Sequence, residues 1–432
     1  MKKRFCLFLA AAFLVPLLGA ADQSRTTEYH NLSLAITADK VMTIVLPDGY
    51  FLSGAVKDTA GSPVPGAVVS AVSPVDKGFG WAGTADAAGL FSFPVQKGIY
   101  TVIVHPPMSA SIAEGVFSRL IADEVEGVTV ASDRNMGEVR LPNGVILRGK
   151  IIPPSGKIGT LAAVLMAFPT VANAETKVYG AQFGTGPDST KYAMALPVGA
   201  HKLIFYPIMV LGSTYQSLPM TFKTDRVTIS GDMTKDIRAP KGFKIWGTVK
   251  DKAGVKLNGI VAVFQKTNPF VKGMPVAEFV AVQGSYSGYL PAGAYVLVFQ
   301  PYPPLNTGYM GRATRTSFNL TMPAAAKQLN LVALNGVIFS GKVVNARNQV
   351  VKAADVGVIV TDAVTSPVPA DWLWYMTATD AQGKFRLPVP KDTYEIHAFP
   401  LDQTAVAAGA DARPSRILRM TADALRFMRW SL

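Results

Sequence analysis

The chain has 432 residues, of which 49% are hydrophobic and 16% are charged, and its formal net charge is +13. This composition excludes a disordered chain, because about half of the residues are available to build apolar cores. The length exceeds that of one ordinary domain, which has roughly 150 residues. The positive charge does not indicate nucleic-acid binding, because no nucleic-acid-binding motif accompanies it.

The N-terminus has the pattern of a secretory signal peptide, which we assign to residues 1–21. Basic residues at 2–4 precede an apolar run at 5–18 and small residues at 19–21. The run of 14 apolar residues is shorter than the roughly 20 needed to span a bilayer. The only cysteine, Cys6, lies in this run. The mature chain is therefore expected to have no disulfide, no thiolate metal site and no cysteine nucleophile.

One pattern then recurs four times along the chain. Each copy opens with an apolar strand that contains a glycine, and these glycines are 95, 98 and 94 residues apart: Gly54, Gly149, Gly247 and Gly341. Self-similarity at a fixed period predicts an array of like units. Because glycine inside a strand usually marks a bulge or a close backbone approach, its fourfold return is predicted to be structural.

Each copy ends with a strand in which Tyr or His alternates with apolar residues before a proline. In the first copy this strand is Tyr100-x-Val102-x-Val104-x-Pro106, and the other copies end at Pro207, Pro301 and Pro400. Alternation with a period of two places one set of side chains on the core face of a sheet. His201 occupies the position of the tyrosines and is predicted to be a packing substitute for them.

A shorter strand-turn-strand pattern separates the copies. It occurs at 34–47, 128–142 and 227–240, in degenerate form around 329–331, and again at 420–430. We expect each pair to complete the sandwich that precedes it. The last pair would then close the fourth unit, and the first would cap the exposed edge of the array.

These patterns predict an all-β protein with four tandem Ig-like or transthyretin-like β-sandwich units in an elongated array. The predicted segments are a signal peptide (1–21), an N-terminal strand pair (22–47), unit 1 (48–141), unit 2 (142–240), unit 3 (241–334), and unit 4 with closing strands (335–432).

The units resemble the carboxypeptidase regulatory-like domain, a transthyretin-like β-sandwich. The first unit carries the resemblance through the strand with Gly54, through Gly61-x-x-x-x-Gly66-Ala67-x-Val69, and through an Asp-x-x-Gly-x-Phe hairpin at 86–91. The fourth unit has the same hairpin at 380–385, whereas the second and third lose its motif. The resemblance implies non-catalytic folding, spacing or binding modules, found in tandem in many exported bacterial proteins.

The residue pattern does not favour catalysis, a metal or a cofactor. A zinc exopeptidase site needs a His with a nearby Glu and a distant second His. The mature chain has four histidines, and none has a Glu two to four residues downstream: His30, His105, His201 and His397. The Gly-x-Ser-x-Gly nucleophile motif is absent. Paired carboxylates at 123–124 and at 392 and 395 are expected to be surface charge.

Aromatic residues near the third strand of each unit are the best binding candidates. Trp81, Trp372 and Trp374 are the candidate ligand-binding residues, because an exposed row of rings offers a stacking surface for sugars. Core packing is the alternative, since large rings dominate the cores of sandwiches. Trp372 and Trp374 share one face of their strand, and Tyr375 takes the other.

The sequence thus predicts an exported, non-catalytic scaffold or protein-binding module of the periplasm, cell surface or extracellular space. Its partner would be a protein or a cell-envelope component. The alternative is a polysaccharide-binding accessory protein that uses Trp372 and Trp374. Signal removal takes away three of the 42 basic residues. The remaining 39 oppose 29 acidic residues, which leaves a net charge of +10. A basic exported protein can interact with anionic polysaccharide, lipid headgroups or an acidic partner.

Overall fold

The structure is a computed structural model of the chain, and it describes most of the residues between 27 and 400. The described residues are 27, 29–73, 80–107, 119–152, 160–170, 179–182, 191–211, 222–223, 226–239, 242–265, 276–301, 311–312, 314–320, 327–352, 354–360, 374–389 and 391–400. None of these residues belongs to a helix that is long and apolar enough to cross a membrane.

The described residues form 32 β-strands, which follow the four predicted units. Two strands precede the first unit: β1 (Tyr29–Ile36) and β2 (Lys40–Leu46). The first unit contains β3 (Tyr50–Lys57), β4 (Val68–Val72), β5 (Gly80–Thr84), β6 (Leu90–Val95), β7 (Gly98–His105), β8 (Asp123–Val130) and β9 (Arg134–Arg140). The second contains β10 (Val145–Ile152), β11 (Thr160–Pro169), β12 (Tyr179–Gln182), β13 (Lys191–Leu196), β14 (Gly199–Leu211), β15 (Phe222–Lys223), β16 (Val227–Ile229), β17 (Met233–Thr234) and β18 (Ile237–Arg238).

The third and fourth units repeat this order. The third contains β19 (Phe243–Asp251), β20 (Gly259–Gln265), β21 (Ala277–Ala281), β22 (Ser285–Leu290), β23 (Gly293–Pro301), β24 (Gly311–Arg312), β25 (Thr314–Leu320), β26 (Lys327–Gln328) and β27 (Leu331–Asn335). The fourth contains β28 (Val337–Asn345), β29 (Asp355–Val360), β30 (Trp374–Ala378), β31 (Lys384–Val389) and β32 (Asp392–Phe399).

Each unit is a sandwich of two sheets, which we call the smaller and the larger sheet after the number of strands that each has in the first unit; in the third unit the sheet around β19 has five strands and the sheet around β20 has four. In the first unit the sheets are β6-β3-β9 and β5-β4-β7-β8, and residues from both form one apolar core. The second and third units have the same arrangement around β10 and β11 and around β19 and β20. In the fourth unit the sheets are β2-β28-β31 and β1-β32-β29-β30. The all-β class and the tandem sandwiches are therefore confirmed.

The N-terminal strand pair belongs to the fourth unit. β1 is antiparallel to β32, and β2 is parallel to β28. The same two pairings occur in the first unit, where β8 is antiparallel to β7 and β9 is parallel to β3. The pair that the sequence predicts to cap the exposed edge of the array therefore completes the fourth unit, at the other end of the repeat. The closing strands predicted at 420–430 lie outside the described residues.

This pairing makes the array closed, where the sequence predicts an elongated one. β2 ends at Leu46 in the fourth unit, and β3 begins at Tyr50 in the first. The three intervening residues span at most roughly 14 Å, at about 3.6 Å per residue step. The first and fourth units are therefore neighbours in space, although they are the most distant units along the chain.

Burial of the strand pair stabilises the fourth unit. Ile36, Ile44 and Leu46 have no exposed surface and lie in the core of that unit. Full burial of such a side chain contributes about 1.5–3 kcal/mol. Without the pair, the remaining strands of the unit would expose an apolar face to water.

The repeated glycine exists because a backbone carbonyl of the strand pair lies against it. A Cβ on Gly149, Gly247 or Gly341 would overlap the carbonyl oxygen of Lys235, Leu329 or Met42, respectively. At Gly54 the corresponding oxygen, from Gly137, would lie 2.9 Å from a Cβ. The close backbone approach predicted from the sequence is confirmed.

An aromatic ring faces each of these glycines across the sheet. The partners across from the glycines are Phe91, Tyr192, Tyr286 and Phe385. The hydroxyl groups of Tyr192 and Tyr286 each donate a 2.6 Å hydrogen bond to the strand-pair carbonyl that lies over the glycine. The ring thus covers the space that the glycine leaves open, as in other sheets where aromatics compensate for glycine.

The closing strands use one repeated hydrogen bond at the start of the Tyr/His alternation. Tyr100 and Tyr295 donate from their hydroxyl groups to the carbonyl oxygens four residues earlier, at 2.7 and 2.8 Å. The Nε2 atom of His201 lies 3.0 Å from the equivalent carbonyl oxygen of Pro197. Because His201 is 1% exposed and makes the same contact, its predicted role as a packing substitute for Tyr is confirmed.

The hairpin that precedes the facing aromatic ring is stabilised in different ways in different units. The Asp86 side chain accepts hydrogen bonds from the backbone at Ala88 and Leu90, and Asp380 does the same in the fourth unit. The third unit lacks this aspartate, yet it also has a tight turn there. Gln283 and Gly284 both have positive φ, which is the signature of a two-residue type I′ hairpin turn.

The larger sheets are buried on both faces. In the first unit Val72 and Ile103 lie opposite the core face and are only 7% and 4% exposed. Four residues on the outer face of the third unit's sheet belong to the same apolar cluster as the core of the fourth unit: Ala262, Phe264, Val296 and Val298. Because a sandwich core covers only one face of a sheet, the second face is covered by other parts of the chain.

We expect Gly247→Ala to destabilise the protein by about 1–3 kcal/mol, the range found for overpacked sites. The added Cβ would overlap the Leu329 carbonyl oxygen, which is backbone and cannot turn away. The measurement is the guanidinium midpoint of unfolding. Gly231→Ala is the control, because no atom lies within 4 Å of a Cβ at that position. Equal midpoints for the two variants would contradict the close approach.

Candidate functional site

The structure separates the tryptophans that the sequence nominates. Trp81 lies in β5 opposite Ala71, whose side chain is in the core of the first unit. Trp374 lies in β30 opposite Ile359, which is next to the core residue Val358 and therefore on the other face. Position 81 is thus on the core face of its sheet and position 374 on the outer face. Trp372 lies outside the described residues.

The strand register shows which residues correspond to Trp81 in the other units. In the second, third and fourth units, the residues paired across the sheet with the equivalents of Ala71 are Tyr179, Ala277 and Tyr375. All four positions lie on the core face of an edge strand. Trp374 is therefore not equivalent to Trp81, and Tyr375 holds the equivalent position in the fourth unit.

Trp246 is a candidate that the sequence analysis missed, and it is the only one of the five tryptophans whose side chain is described. It lies in β19, one residue before the repeated glycine Gly247. Ile245 is fully buried, so alternation places Trp246 on the outer face of the smaller sheet. Its side chain is partly exposed.

Lys244 lies beside Trp246 on the same face of β19. Its Nζ atom is 5.8 Å from the centroid of the indole ring, within the distance of a cation–π contact. Lys244 is exposed, so its ammonium group remains accessible from solvent. The two residues together present an apolar ring and a positive charge at one point on the surface.

An open groove of about 420 Å³ surrounds this pair. Hydroxyl groups line it at Thr248, Ser285 and Ser287, and Gln328 adds an amide. The hydroxyl of Tyr286 is already used, because it donates to the Leu329 carbonyl, and burial raises its pKa. Among the described residues that line the groove, none carries a carboxylate. The groove can therefore accept hydrogen-bonding groups and negative charge.

The other units have no tryptophan at this position. The residue before the repeated glycine is Ser53, Arg148 or Ser340. Trp246 is therefore a feature of the third unit alone, and comparison of the aligned first strands carries the signal that identifies it.

The histidines do not form a group that could hold a metal. Among the described residues, no three His, Cys, Asp or Glu side chains cluster in this way. The Nε2 atom of His397 lies 3.1 Å from a Glu395 oxygen, and the histidine is buried. The β1–β32 register places the backbone of His30 opposite that of His397, because the N-terminal strand belongs to the fourth unit.

The nominated carboxylate pairs are also separated. Asp123 and Glu124 are neighbours in β8, and Asp392 and Glu395 are three apart in β32. Since adjacent or odd-numbered spacings place side chains on opposite faces of a strand, neither pair shares a face. The sequence Gly-Ser-Tyr-Ser-Gly at 284–288 has its serines at positions that do not match the nucleophile motif, and it lies at the β21–β22 hairpin.

Comparison with known proteins gives distant similarities only. No family model and no curated protein matches the chain. Solved structures with similarity include the Bacillus anthracis TIE protein, which is 15% identical over 67% of this chain and 51% of that chain, with a TM-score of 0.18. A streptococcal ancillary pilin is 10% identical over 66% and 99% of the two chains, with a TM-score of 0.19.

BcpA, the major pilin subunit of Bacillus cereus, is 13% identical over 66% of this chain and 99% of its own, with a TM-score of 0.17. This chain thus spans about half the length of the TIE chain and nearly all of the two pilin chains. Identities and TM-scores at this level do not establish a shared arrangement or function.

His105 generates a prediction about pH. Burial lowers its pKa from 6.5 to about 4, and its Nε2 atom is buried without a hydrogen-bond partner. The unfolded chain therefore takes up a proton first as the pH falls. The contribution of neutral His105 to stability is fully present above about pH 6.5 and is lost as the pH falls toward 4.

We expect His105→Phe to lose less stability than the parent chain as the pH falls from 7 to 4. The difference should be at most about 3 kcal/mol, at 1.36 kcal/mol per pKa unit. Phe is the natural residue at the equivalent position of the fourth unit, Phe399. The measurement is the guanidinium midpoint at several pH values between 7 and 4. Parallel curves for the variant and the parent chain would show that His105 does not titrate in this range.

Proposed function

We propose that the chain is an exported, non-catalytic scaffold of four β-sandwich units that binds a partner at the bacterial cell surface or in the periplasm. The observation that carries the proposal is the use of the repeated positions. Glycines, facing aromatics and closing strands are all used for packing, and the partly exposed Trp246–Lys244 pair belongs to one unit alone. A rigid array that displays one unit-specific surface is suited to binding.

The partner would be a protein or a cell-envelope component. The resemblance to carboxypeptidase regulatory-like domains supports a non-catalytic module by analogy. The sequence predicts loops that differ between the units at 73–78, 267–275 and 365–371, and apart from residue 73 they lie outside the described residues. We propose them as further places for specific contacts, because loops on a scaffold commonly carry recognition.

Acidic polysaccharide is the second candidate, and the groove beside Trp246 favours it. A partly exposed indole provides an apolar face of the kind that stacks against a sugar ring. Lys244 adds a cation for a carboxylate, and Thr248, Ser287 and Gln328 add hydrogen-bonding groups. Ligand sites commonly combine an aromatic surface with a few polar groups in this way. The Trp372–Trp374 region remains a separate proposal for the same ligand class.

Retention on immobilised polygalacturonate tests this candidate, with cellulose as the neutral comparison. We expect Trp246→Ala to reduce retention at least tenfold. Lys244→Gln should weaken binding to polygalacturonate and reduce its salt dependence, because one ion contact is lost. Lys202→Gln, an exposed lysine in the second unit, is the charge control and should bind as the parent does.

The results distinguish three cases. Loss of retention in Trp246→Ala but not in Trp374→Ala supports the groove in the third unit. The reverse result would move the site to the fourth unit. Equal retention of every variant and the parent would contradict polysaccharide binding by either tryptophan and leave a protein partner as the target.

Export generates a further prediction. Expressed in a bacterial host, the chain in the exported fraction should begin at Asp22, because residues 1–21 have the basic, apolar and small segments of a cleaved signal. Intact mass of the purified protein measures this. Leu9→Arg interrupts the apolar run and should prevent export, whereas Lys2→Arg keeps the basic segment and should not. A full-length chain in the exported fraction would contradict cleavage.

A further inference from the structure

The fourth unit is the only unit completed by strands that precede all the others. The first three units each receive their completing strands from the segment that follows them in the chain. The fourth receives β1 and β2, and β2 ends more than 290 residues before β28 begins. Those two strands and the positions on β32 and β28 that they pair with define what we call the clasp.

The clasp reproduces the contacts of the other units. The Asp39 carboxylate accepts a 2.9 Å hydrogen bond from the backbone of Ile338, as Asp133 does from Phe51 at 3.1 Å in the first unit. The Met42 carbonyl lies over Gly341, as the strand-pair carbonyls lie over the other repeated glycines. The clasp is therefore a specific site with a fixed register.

The connection between the fourth unit and the first differs from the three connections between consecutive units. Between consecutive units the chain itself provides the connection. Between the fourth unit and the first, every contact of β1 and β2 with the fourth unit is non-covalent, and the covalent link runs to the first unit through residues 47–49. An element that is attached to one body and folded into another can be exchanged between identical molecules.

We propose that the clasp site of the fourth unit also accepts the β1–β2 strand pair of a second copy of this chain, which links copies by strand exchange. A second copy offers the same residues, so every hydrogen bond, register position and buried side chain is reproduced. Reciprocal exchange gives a closed dimer, and sequential exchange gives an open chain of copies.

Two features of the chain favour this occupant. A two-stranded pair is marginally stable by itself and needs a sandwich to bury its apolar face. The pair is also joined to the first unit by residues 47–49 alone, while the strands that it pairs with, β32 and β28, belong to the fourth unit. The pair can therefore be placed in the fourth unit of either copy.

The concentration dependence follows from the short link at 47–49. Within one chain the pair is held near its site at a high effective concentration, which is in the millimolar range for short linkers. The closed monomer therefore dominates in dilute solution. Exchange is expected when the protein is concentrated under conditions that open the clasp.

A disulfide across the clasp tests the proposal. Val41 and Ser340 are neighbours across the β2–β28 ladder, and Val41 is 80% exposed, so cysteines there should not disturb the core. Adjacent-strand Cα distances are within the range that a disulfide allows. The full chain with Cys6→Ser, Val41→Cys and Ser340→Cys contains no other cysteine.

Two differently tagged versions of this chain are mixed, incubated in moderate denaturant at high and low protein concentration, returned to buffer and oxidised. We expect an intrachain disulfide at low concentration. At high concentration we expect disulfide-linked dimers that contain both tags, with a peptide joining positions 41 and 340 in the mass spectrum. Val41→Cys with Arg148→Cys is the control, because Arg148 is the equivalent position in a unit that is completed by its own strands.

The outcomes decide the proposal. Intrachain disulfides alone at every concentration would overturn strand exchange. Absence of any 41–340 disulfide would overturn the clasp itself. Mixed dimers in the Arg148 control as readily as in the Ser340 pair would show random collision and would also overturn it.

A second comparison uses the capping aspartates. Asp39→Ala, introduced into the cysteine variant, should raise the rate of mixed-dimer formation several-fold, because it removes the hydrogen bond to Ile338. Asp133→Ala removes the equivalent hydrogen bond in the first unit and should leave that rate unchanged. Equal acceleration by both substitutions would indicate general destabilisation and contradict a specific clasp.

Discussion

The contact between a strand-pair carbonyl and the glycine of a first strand is the constraint on which this architecture depends. At Gly149, Gly247 and Gly341 a side chain as small as Ala would overlap that carbonyl. The contact brings a parallel strand against the first strand and thereby completes the smaller sheet of each sandwich. Each unit therefore requires a strand pair, and the fourth obtains its pair from the N-terminus.

The closed order of the units follows from that requirement. Residues 47–49 connect the fourth unit's strands to the first unit, so the ends of the repeat meet. The burial of both faces of the larger sheets agrees with neighbouring units that pack against one another. An edge strand that would otherwise be exposed is covered by a strand pair from the chain's own start, which limits edge-to-edge aggregation.

The same constraint explains where a binding surface can arise. The core face of each first strand is committed to the glycine contact and its facing aromatic ring. The outer face is not, and the residue before the glycine varies from Ser to Arg to Trp. Trp246 with Lys244 uses this freedom in the third unit, where the surrounding hydroxyl and amide groups form an open groove.

The sequence by itself determined the fold class, the four units, the close approach at the repeated glycines and the packing role of His201, because these depend on local alternation and on the repeat. Only the tertiary structure decided which unit receives the first strand pair, since identical pairing patterns fit any unit. It also showed how side chains compensate across strands: Phe93 of β6 covers Gly83 of β5, whereas in the third unit Phe279 of β21 covers Gly288 of β22. The aromatic ring and the glycine therefore lie on opposite strands in the two units, although the ring fills the same space in both. A sequence read strand by strand cannot show this, because packing volume is shared between segments that are distant along the chain.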